Sequence, residues 1–214
     1  MPTATLGALV LVAAAGLINL DEFRAMAKIR SEELVWALIA VAGVIVLGTL
    51  EGILVAVLIS MLTLIAQAAR PPVNAMGRKP GTDVFRSLGD HPNDETFPGL
   101  LIARTEGRLF FANTSSVIDK LWPLVHQAAP QVLVLDCDAI PDIEYTALLS
   151  LTKFEKQLSK AGVTLWLAAL NAKPLHVVER APLGATLGHE RMYLNVEQAV
   201  DAYVQRLGRG ESDD

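Results

Sequence analysis

The sequence predicts a membrane α-helical segment followed by a cytoplasmic α/β domain, whose mixed, largely parallel sheet is flanked by helices. Two apolar runs predict the membrane segment: residues 3–20 carry no charge, and residues 34–66 carry one charge in 33 positions. The alternation of short apolar runs with helical periodicities after residue 70 predicts the domain. A hydrophobic share of 52% against 19% charged excludes a disordered chain.

The first apolar run predicts a membrane span over residues 3–20, because about 18 apolar residues are enough to cross a bilayer. A cleaved signal peptide is the alternative, since small residues occupy positions 13–15. No basic region precedes the run, however, and a second apolar segment follows closely. Residues 21–33 alternate apolar and charged side chains, which predicts an interfacial amphipathic helix.

The second apolar run, residues 34–66, is too long for one straight span and too short for two full ones. A single helix would extend about 50 Å, against a hydrocarbon core of about 30 Å. Gly48 and Gly52 bracket the only charge, Glu51, which favours a short helical hairpin of residues 34–47 and 53–66. The alternative is one tilted helix with Glu51 inside a helix bundle. Such a short hairpin requires partner helices around it.

Basic residues on both sides of the hairpin predict the orientation of the chain. Three lie within residues 24–30 and three within residues 70–79, and basic flanks are typical of the cytoplasmic side. We therefore expect a multi-pass protein of the inner (plasma) membrane, with the lipid bilayer as a partner and the C-terminal domain in the cytoplasm. The net charge of -5 argues against a nucleic-acid partner.

The polar part of the chain divides into a linker, a domain and a tail. Residues 71–97 are predicted to form a linker with a first strand at 82–88, residues 98–207 the domain, and residues 208–214 a disordered tail. Further strands are predicted at 100–105, 109–112, 132–135 and 163–170, the first two joined by a hairpin turn. Helical spacing predicts helices at 115–128, 146–161, 173–180 and 197–206.

The order of these features resembles a known family. The stretch Leu-Gly-Thr-Leu-Glu-Gly-Ile-Leu at 47–54 resembles the final hairpin of the SulP anion permeases, and residues 70–71, 77–86 and 91–92 look like that family's linker. Residues 98–101, 109–113 and 134–136 resemble the first strands of a STAS domain, and residues 142–147 match a loop and helix start of that domain. The resemblance runs from about residue 3 to residue 206, and its collinear order makes it specific.

The resemblance implies the C-terminal portion of a secondary active transporter for sulfate or related inorganic anions, either a symporter or an exchanger. The STAS domain would then regulate or assemble the transporter. The family's anion site lies between half-helices of the third and tenth spans, which this chain does not contain, so no substrate-binding residue is assigned. Implied partners are the remaining transporter helices or a second protomer in a homodimer, and a cytoplasmic regulatory protein. No cofactor is implied.

The alternative function is a free-standing, membrane-anchored STAS module. It would bind a protein partner or a nucleotide and would move no solute by itself. An enzyme is not expected, because no catalytic constellation is complete in the sequence.

The resemblance also marks a candidate regulatory loop of Asp142, Glu144, Tyr145 and Thr146. In STAS proteins that antagonise anti-sigma factors, the matching stretch reads Asp-Ser-Ser/Thr-Gly, and its second hydroxyl is phosphorylated. Thr146 keeps that hydroxyl, whereas Glu, Tyr and Ala occupy the other three positions. A phosphate there would be stabilised by free N–H groups at a helix N-terminus. The alternative is that Thr146 only caps or starts the helix.

Three other carboxylates are candidate functional groups. Glu51 is the candidate functional carboxylate of the membrane segment, and the alternative is a turn residue that faces water or headgroups. Asp136 and Asp138 end a predicted strand at i and i+2, a spacing that suits acid–base work or a metal, or else a solvated acidic edge. The four histidines lack ligand spacing, so no metal site is predicted.

Overall fold

The computed structural model describes residues 2–16, 19–29 and 31–210. The chain divides into two compact units, Met1–Ile65 and Ala66–Asp214. The two units are described separately below.

The first unit is helical. Its helices are α1 (Pro2–Gly16), α2 (Leu20–Ile29), α3 (Ser31–Leu47) and α4 (Thr49–Ala68), the last of which ends just inside the second unit. Two stretches of the described chain are long and apolar enough to cross a membrane, Ala4–Ile29 and Thr49–Ala68, and Leu34–Leu47 is a shorter apolar helix. The amphipathic helix predicted for residues 21–33 corresponds to α2, with acidic residues in its first turn and Lys28 in its last.

The hairpin between α3 and α4 turns at a single residue, Gly48, whose φ of +97° is one that L side chains rarely adopt. The predicted helices of fourteen residues each are too short, since α3 has 17 residues and α4 has 20. The reason is that Glu51 and Gly52 belong to the first turn of α4 and not to the turn between helices. A carboxylate is favourable there because the N-terminus of a helix carries partial positive charge.

Gly52 has a packing role. A Cβ at this position would lie 2.5 Å from the Cα of Val44, so the backbones of α3 and α4 touch at this point. A Cβ on Gly43 would meet Gly52 at an ordinary 3.8 Å. The second glycine of the predicted turn therefore permits close helix packing.

The second unit is built on a six-stranded sheet of order β2-β1-β3-β4-β5-β6. Strands β3 to β6 are parallel, β1 is antiparallel to β3, and β2 is antiparallel to β1. The mixed, largely parallel sheet predicted from the sequence is confirmed. Its strands are β1 (Val73–Arg78), β2 (Phe85–Ser87), β3 (Leu100–Thr105), β4 (Val132–Asp136), β5 (Thr164–Ala168) and β6 (Met192–Tyr193).

Helices cover both faces of this sheet and create two cores. The larger core packs β3, β4 and β5 against α5 (Thr114–Ala128), α6 (Tyr145–Lys160), α7 (Ala172–Glu179) and α8 (Pro182–Leu187). The smaller core packs the other face against α9 (Val196–Gly210), which a short 3₁₀ turn (His189–Arg191) and β6 precede. The alternation of strand and helix thus buries apolar residues on both sheet faces, as a parallel sheet requires.

Three sequence-based expectations differ from the structure. Residues 109–112 form no strand: Leu109 makes one isolated bridge to Ile143, and the chain then turns into α5. The turn closes because Asn113 Oδ1 accepts the N–H of Phe110, and the Thr114 hydroxyl donates to the Phe110 carbonyl. The strand predicted at 82–88 corresponds to the shorter β2, and β1, at 73–78, was not predicted. Helix α9 continues to Gly210, so residues 208–210 are helical, while residues 211–214 lie outside the described part.

Candidate functional site at the carboxyl ends of the parallel strands

The loops that follow β3 and β4 meet at one edge of the sheet, called here the carboxyl edge. Gly107 N–H donates to the Ala139 carbonyl at 3.0 Å, and Leu109 N–H donates to that of Asp142 at 3.0 Å. Glu144 N–H donates back to the Leu109 carbonyl at 2.9 Å. The carboxyl ends of parallel strands necessarily share an edge. These backbone bonds make the two loops one ordered surface that leads into α6.

Ion pairs neutralise the acidic residues of the candidate regulatory loop. Asp142 forms ion pairs with Arg108 Nε at 3.2 Å and with Lys173 Nζ at 3.1 Å. Glu144 pairs with Arg108 Nη2 at 2.8 Å. The structure therefore brings Asp142 and Glu144 together through one shared guanidinium. Sequence reasoning missed Arg108 and Lys173, because ion partners distant along the chain leave no local pattern.

Tyr145 and Thr146 are the first two residues of α6, and both are exposed. Glu144 is the N-cap, with extended backbone angles and no capping hydrogen bond from its side chain. Thr146 therefore lies inside the first turn and is not the cap. The N–H groups of a first turn have no intrahelical acceptor, so an anion attached to the Thr146 hydroxyl would lie beside free donors.

Asp136 and Asp138 do not form a paired carboxylate site. Asp136 is fully buried and binds Arg104 through Nη2 at 2.6 Å and Nε at 2.7 Å, while Asp138 is exposed. The N–H of Asp138 donates to Asp136 Oδ1 at 3.1 Å, which fixes the loop start. The solvated acidic edge is wrong for Asp136, because its charge is compensated inside the sheet. No group of three or more potential metal ligands occurs in the described residues.

Cys137, a potential nucleophile at the carboxyl edge, is unreactive because it is buried. Cys137 is 1% exposed, and desolvation raises the pKa of its thiol well above the ordinary value. A thiol held in its protonated form is a poor nucleophile. Cys137 is a small core residue at the end of β4.

Asn113 is a polar residue whose structural role the sequence did not reveal. It is 2% exposed, and its side-chain amide donates to the Ala68 carbonyl at 3.1 Å and to the Arg108 carbonyl at 2.8 Å. The last residue of α4 is thereby attached to the loop that carries Arg108. An Asn before Thr-Ser is a common glycosylation or capping pattern. The fold shows that the Asn113 amide instead binds two backbone carbonyls.

The segment 68–72, which we name the exit seam, has further attachments. Lys120 Nζ donates to the Pro71 carbonyl at 2.6 Å, and the Thr105 hydroxyl donates to the Pro72 carbonyl at 3.0 Å. Strand β1 then begins at Val73, opposite Thr105 of β3. Between the end of α4 and the sheet, three backbone carbonyls therefore accept hydrogen bonds from side chains, namely those of Ala68, Pro71 and Pro72.

Glu51, the candidate carboxylate of the membrane segment, belongs to the first unit. It is exposed, and one of its carboxylate oxygens lies 3.0 Å from where a Cβ on Gly48 would lie.

A cleft of about 690 Å³ opens at the opposite end of the second unit, beside the amino end of β3. Its lining comes from β1, the segment 96–102 and the last turn of α5, and includes Phe97, Leu124 and Gln127 but no Lys or Arg. Nucleotide phosphates are usually bound by cationic side chains or helix N-termini. The lining of this cleft therefore does not favour nucleotide binding, which was part of the alternative function.

Comparisons with known proteins agree with this architecture. The family model for the STAS domain matches residues 91–199. A "Probable sulfate transporter" of Mycobacterium tuberculosis is 32% identical over 207 residues, which cover 96% of this chain and 37% of that protein. "High affinity sulfate transporter 2" of Stylosanthes hamata is 27% identical over 213 residues, covering 94% and 32%. The chain spans about a third of the length of these relatives.

Two solved structures show the same fold. The murine Solute Carrier 26 family member A9 anion transporter, in the inward-facing state, matches with a TM-score of 0.64 and 18% identity over 72% of this chain and 25% of that chain. A second structure of SLC26A9 matches with a TM-score of 0.72 and 16% identity, covering 89% of this chain and 33% of that one. At these identities the likeness concerns the fold.

Proposed function

Because this chain belongs to the STAS domain family and aligns over nearly its whole length with sulfate transporters, we propose that it forms the C-terminal portion of a secondary active transporter. The cargo would be sulfate or a related inorganic anion. The observation that carries this proposal is continuity: one alignment covers 96% of the chain, and thus both the apolar hairpin and the domain that follows it. The first unit would be embedded in the inner membrane, with the STAS domain in the cytoplasm.

A chimera tests the transport role. This chain would replace the corresponding third of the Mycobacterium tuberculosis relative, and sulfate uptake would be measured in cells that lack their own sulfate transport. We expect uptake by the chimera and none by the 214-residue chain alone, because the family resemblance implies that the anion site lies in the third and tenth spans. A chimera that reaches the membrane in folded form but takes up no sulfate would contradict the proposal.

The STAS domain would have a regulatory or assembly role, with Asp142, Glu144, Tyr145 and Thr146 as its candidate regulatory loop. The support is geometric: two exposed residues start α6, and an ion-paired loop holds them in place. The relatives are transporters, which favours a role without enzymatic chemistry. A homodimer or the remaining transporter helices would cover the apolar hairpin.

Thr146 is the residue through which regulation is tested. Phosphorylation at the helix N-terminus would add negative charge two residues from Glu144, whose carboxylate pairs with Arg108. We expect Thr146→Glu and Thr146→Ala to change partner docking or uptake by the chimera in opposite directions. If neither substitution alters docking or uptake, Thr146 is not a regulatory residue.

The second candidate function is a membrane-anchored STAS module without transport. One observation favours it: within the described residues the second unit has a full sheet with a core on each face. Such a module would hold a cytoplasmic protein partner in the absence of further spans. Purification of the chain in detergent, followed by partner capture and the uptake assay above, distinguishes the two functions.

A further inference from the structure

Two aromatic side chains of the second unit are exposed at the carboxyl edge. Phe111 is 73% exposed and Tyr145 is 63% exposed, and no other described aromatic residue of this unit is more than half exposed. The parallel bridge between Leu109 and Ile143 brings both to the same end of the sheet, since each lies two residues beyond its bridge partner. We name Phe111 and Tyr145 the aromatic edge.

The aromatic edge is not a loose loop. The ring of Phe110 meets that of Phe111 edge-on, with centroids 5.7 Å apart, and the N–H of Phe110 is bound by Asn113 Oδ1 at 3.0 Å. Tyr145 belongs to the first turn of a 16-residue helix. Two large rings exposed on an ordered backbone leave apolar area in water, and contact with an apolar partner would cover it.

The position of Ala68 indicates the partner. Helix α4 has 20 residues, a length of about 30 Å, which equals the thickness of a hydrocarbon core. Its last residue, Ala68, would therefore lie at the boundary between hydrocarbon and headgroups. Asn113 binds the Ala68 carbonyl at 3.1 Å, and Phe111 is two residues away along the chain. This step rests on the proposed function, in which α4 crosses a membrane.

The charges of the loop before α6 and of the exit seam suit a phospholipid surface, while Glu106 and Asp138 of the two edge loops are exposed carboxylates. The carboxylates of Asp142 and Glu144 are paired with Arg108 and Lys173, so their charge is compensated. Arg70 in the exit seam and Lys120 beside it are both exposed and basic. Basic side chains near a membrane attract anionic headgroups, and amphipathic rings such as that of tyrosine concentrate at the headgroup level.

We propose that the aromatic edge, Phe111 and Tyr145, lies in the membrane–water interface and holds the STAS domain against the bilayer. The domain would then be attached to the membrane at two points, the exit seam and the aromatic edge. A single tether permits the domain to rotate, whereas two points fix its orientation.

Spin labels measure this directly. The only cysteine, Cys137, is buried and is removed by Cys137→Ala, after which Phe111→Cys and Tyr145→Cys are labelled separately in the full chain. The labelled chains are reconstituted in vesicles of phosphatidylcholine and phosphatidylglycerol, and collisions with oxygen and with a water-soluble nickel chelate are compared. Val84→Cys, at an exposed turn before β2, is the matched control, and Leu58→Cys in α4 is the membrane reference.

We expect labels at 111 and 145 to meet more oxygen and less nickel chelate than the label at 84. If position 58 lies in the bilayer but 111 and 145 behave like 84, the aromatic edge faces water and the inference fails while the proposed function stands. If labels at 111 and 145 are shielded from both reagents, another protein surface covers the aromatic edge, and the inference also fails. A label at 58 that behaves like 84 removes the membrane assignment of α4 and with it both proposals.

Discussion

The two units of this chain use the same apolar residues in opposite ways. Leu58 of α4 is 59% exposed, whereas Leu121 of α5 is fully buried. The second unit turns apolar side chains inward on both faces of a sheet. Helices α1, α3 and α4 of the first unit expose most of their described apolar side chains. The second unit therefore buries its own apolar surface, whereas that of the first unit is left uncovered within the described residues.

The largest expected effect lies in the core of the second unit. Phe154→Ala removes a buried ring that packs edge-on against Trp122 at 5.4 Å, and Phe→Ala substitutions in cores cost about 3–5 kcal/mol. Leu149→Ala on the same helix is the matched control, because Leu149 is exposed and its loss should have little effect. Urea unfolding followed by tryptophan fluorescence measures both. Equal losses for the two variants would mean that α6 does not bury this face.

The hairpin of α3 and α4 tests how the helices of the first unit pack. Gly52→Ala places a methyl group against the backbone of Val44, and overpacking of this kind costs about 1–3 kcal/mol. Gly43→Ala is the control, since its methyl group would make an ordinary contact at 3.8 Å. Thermal loss of helicity in detergent is the measurement. We expect a lower midpoint for Gly52→Ala only, and a reversed order would show that the helices do not meet at Gly52.

The smallest expected effect is a pH dependence of the second unit. A bidentate hydrogen-bonded pair with Arg86, at 2.6 and 3.0 Å, lowers the pKa of Asp94 below its ordinary 3.8. A lowered native pKa stabilises the fold at pH values above the unfolded pKa, and this contribution is lost as the pH falls through the native value. Asp94→Asn should therefore flatten the stability profile below about pH 4, whereas Asp90→Asn, at an exposed turn, should leave it unchanged. Stability curves at several acidic pH values decide this.

Strong periodicity made parts of the fold predictable from the sequence. Helices α5 and α6 begin within one residue of their predicted starts, and β4 extends the predicted 132–135 by one residue, because apolar spacing alone specifies such elements. The sequence did not predict β1 because Asn74 and Gly77 interrupt its apolar pattern. The strand forms because its pairing with β3 compensates for a weak local strand propensity. The short helix α8 was missed because its Gly184 packs on the backbone at Val178, a contact that exists only in three dimensions.

The candidate site was predictable only in part, for a related reason. The loop of Asp142, Glu144, Tyr145 and Thr146 was found through a family pattern that is contiguous in sequence. Arg108 lies 36 residues from Glu144, and Asn113 lies 45 residues from Ala68, so neither partner can be inferred from spacing. Sequence patterns locate reactive groups, whereas the partners that hold those groups are set by the topology of the sheet.

The exit seam has a mechanical consequence. Only residues 69–72 separate α4 from β1, two of these four are prolines with a fixed φ, and Asn113, Lys120 and Thr105 bind carbonyls within or beside them. All three hydrogen bonds would have to break before the chain between Ala68 and Val73 could be pulled away from the sheet.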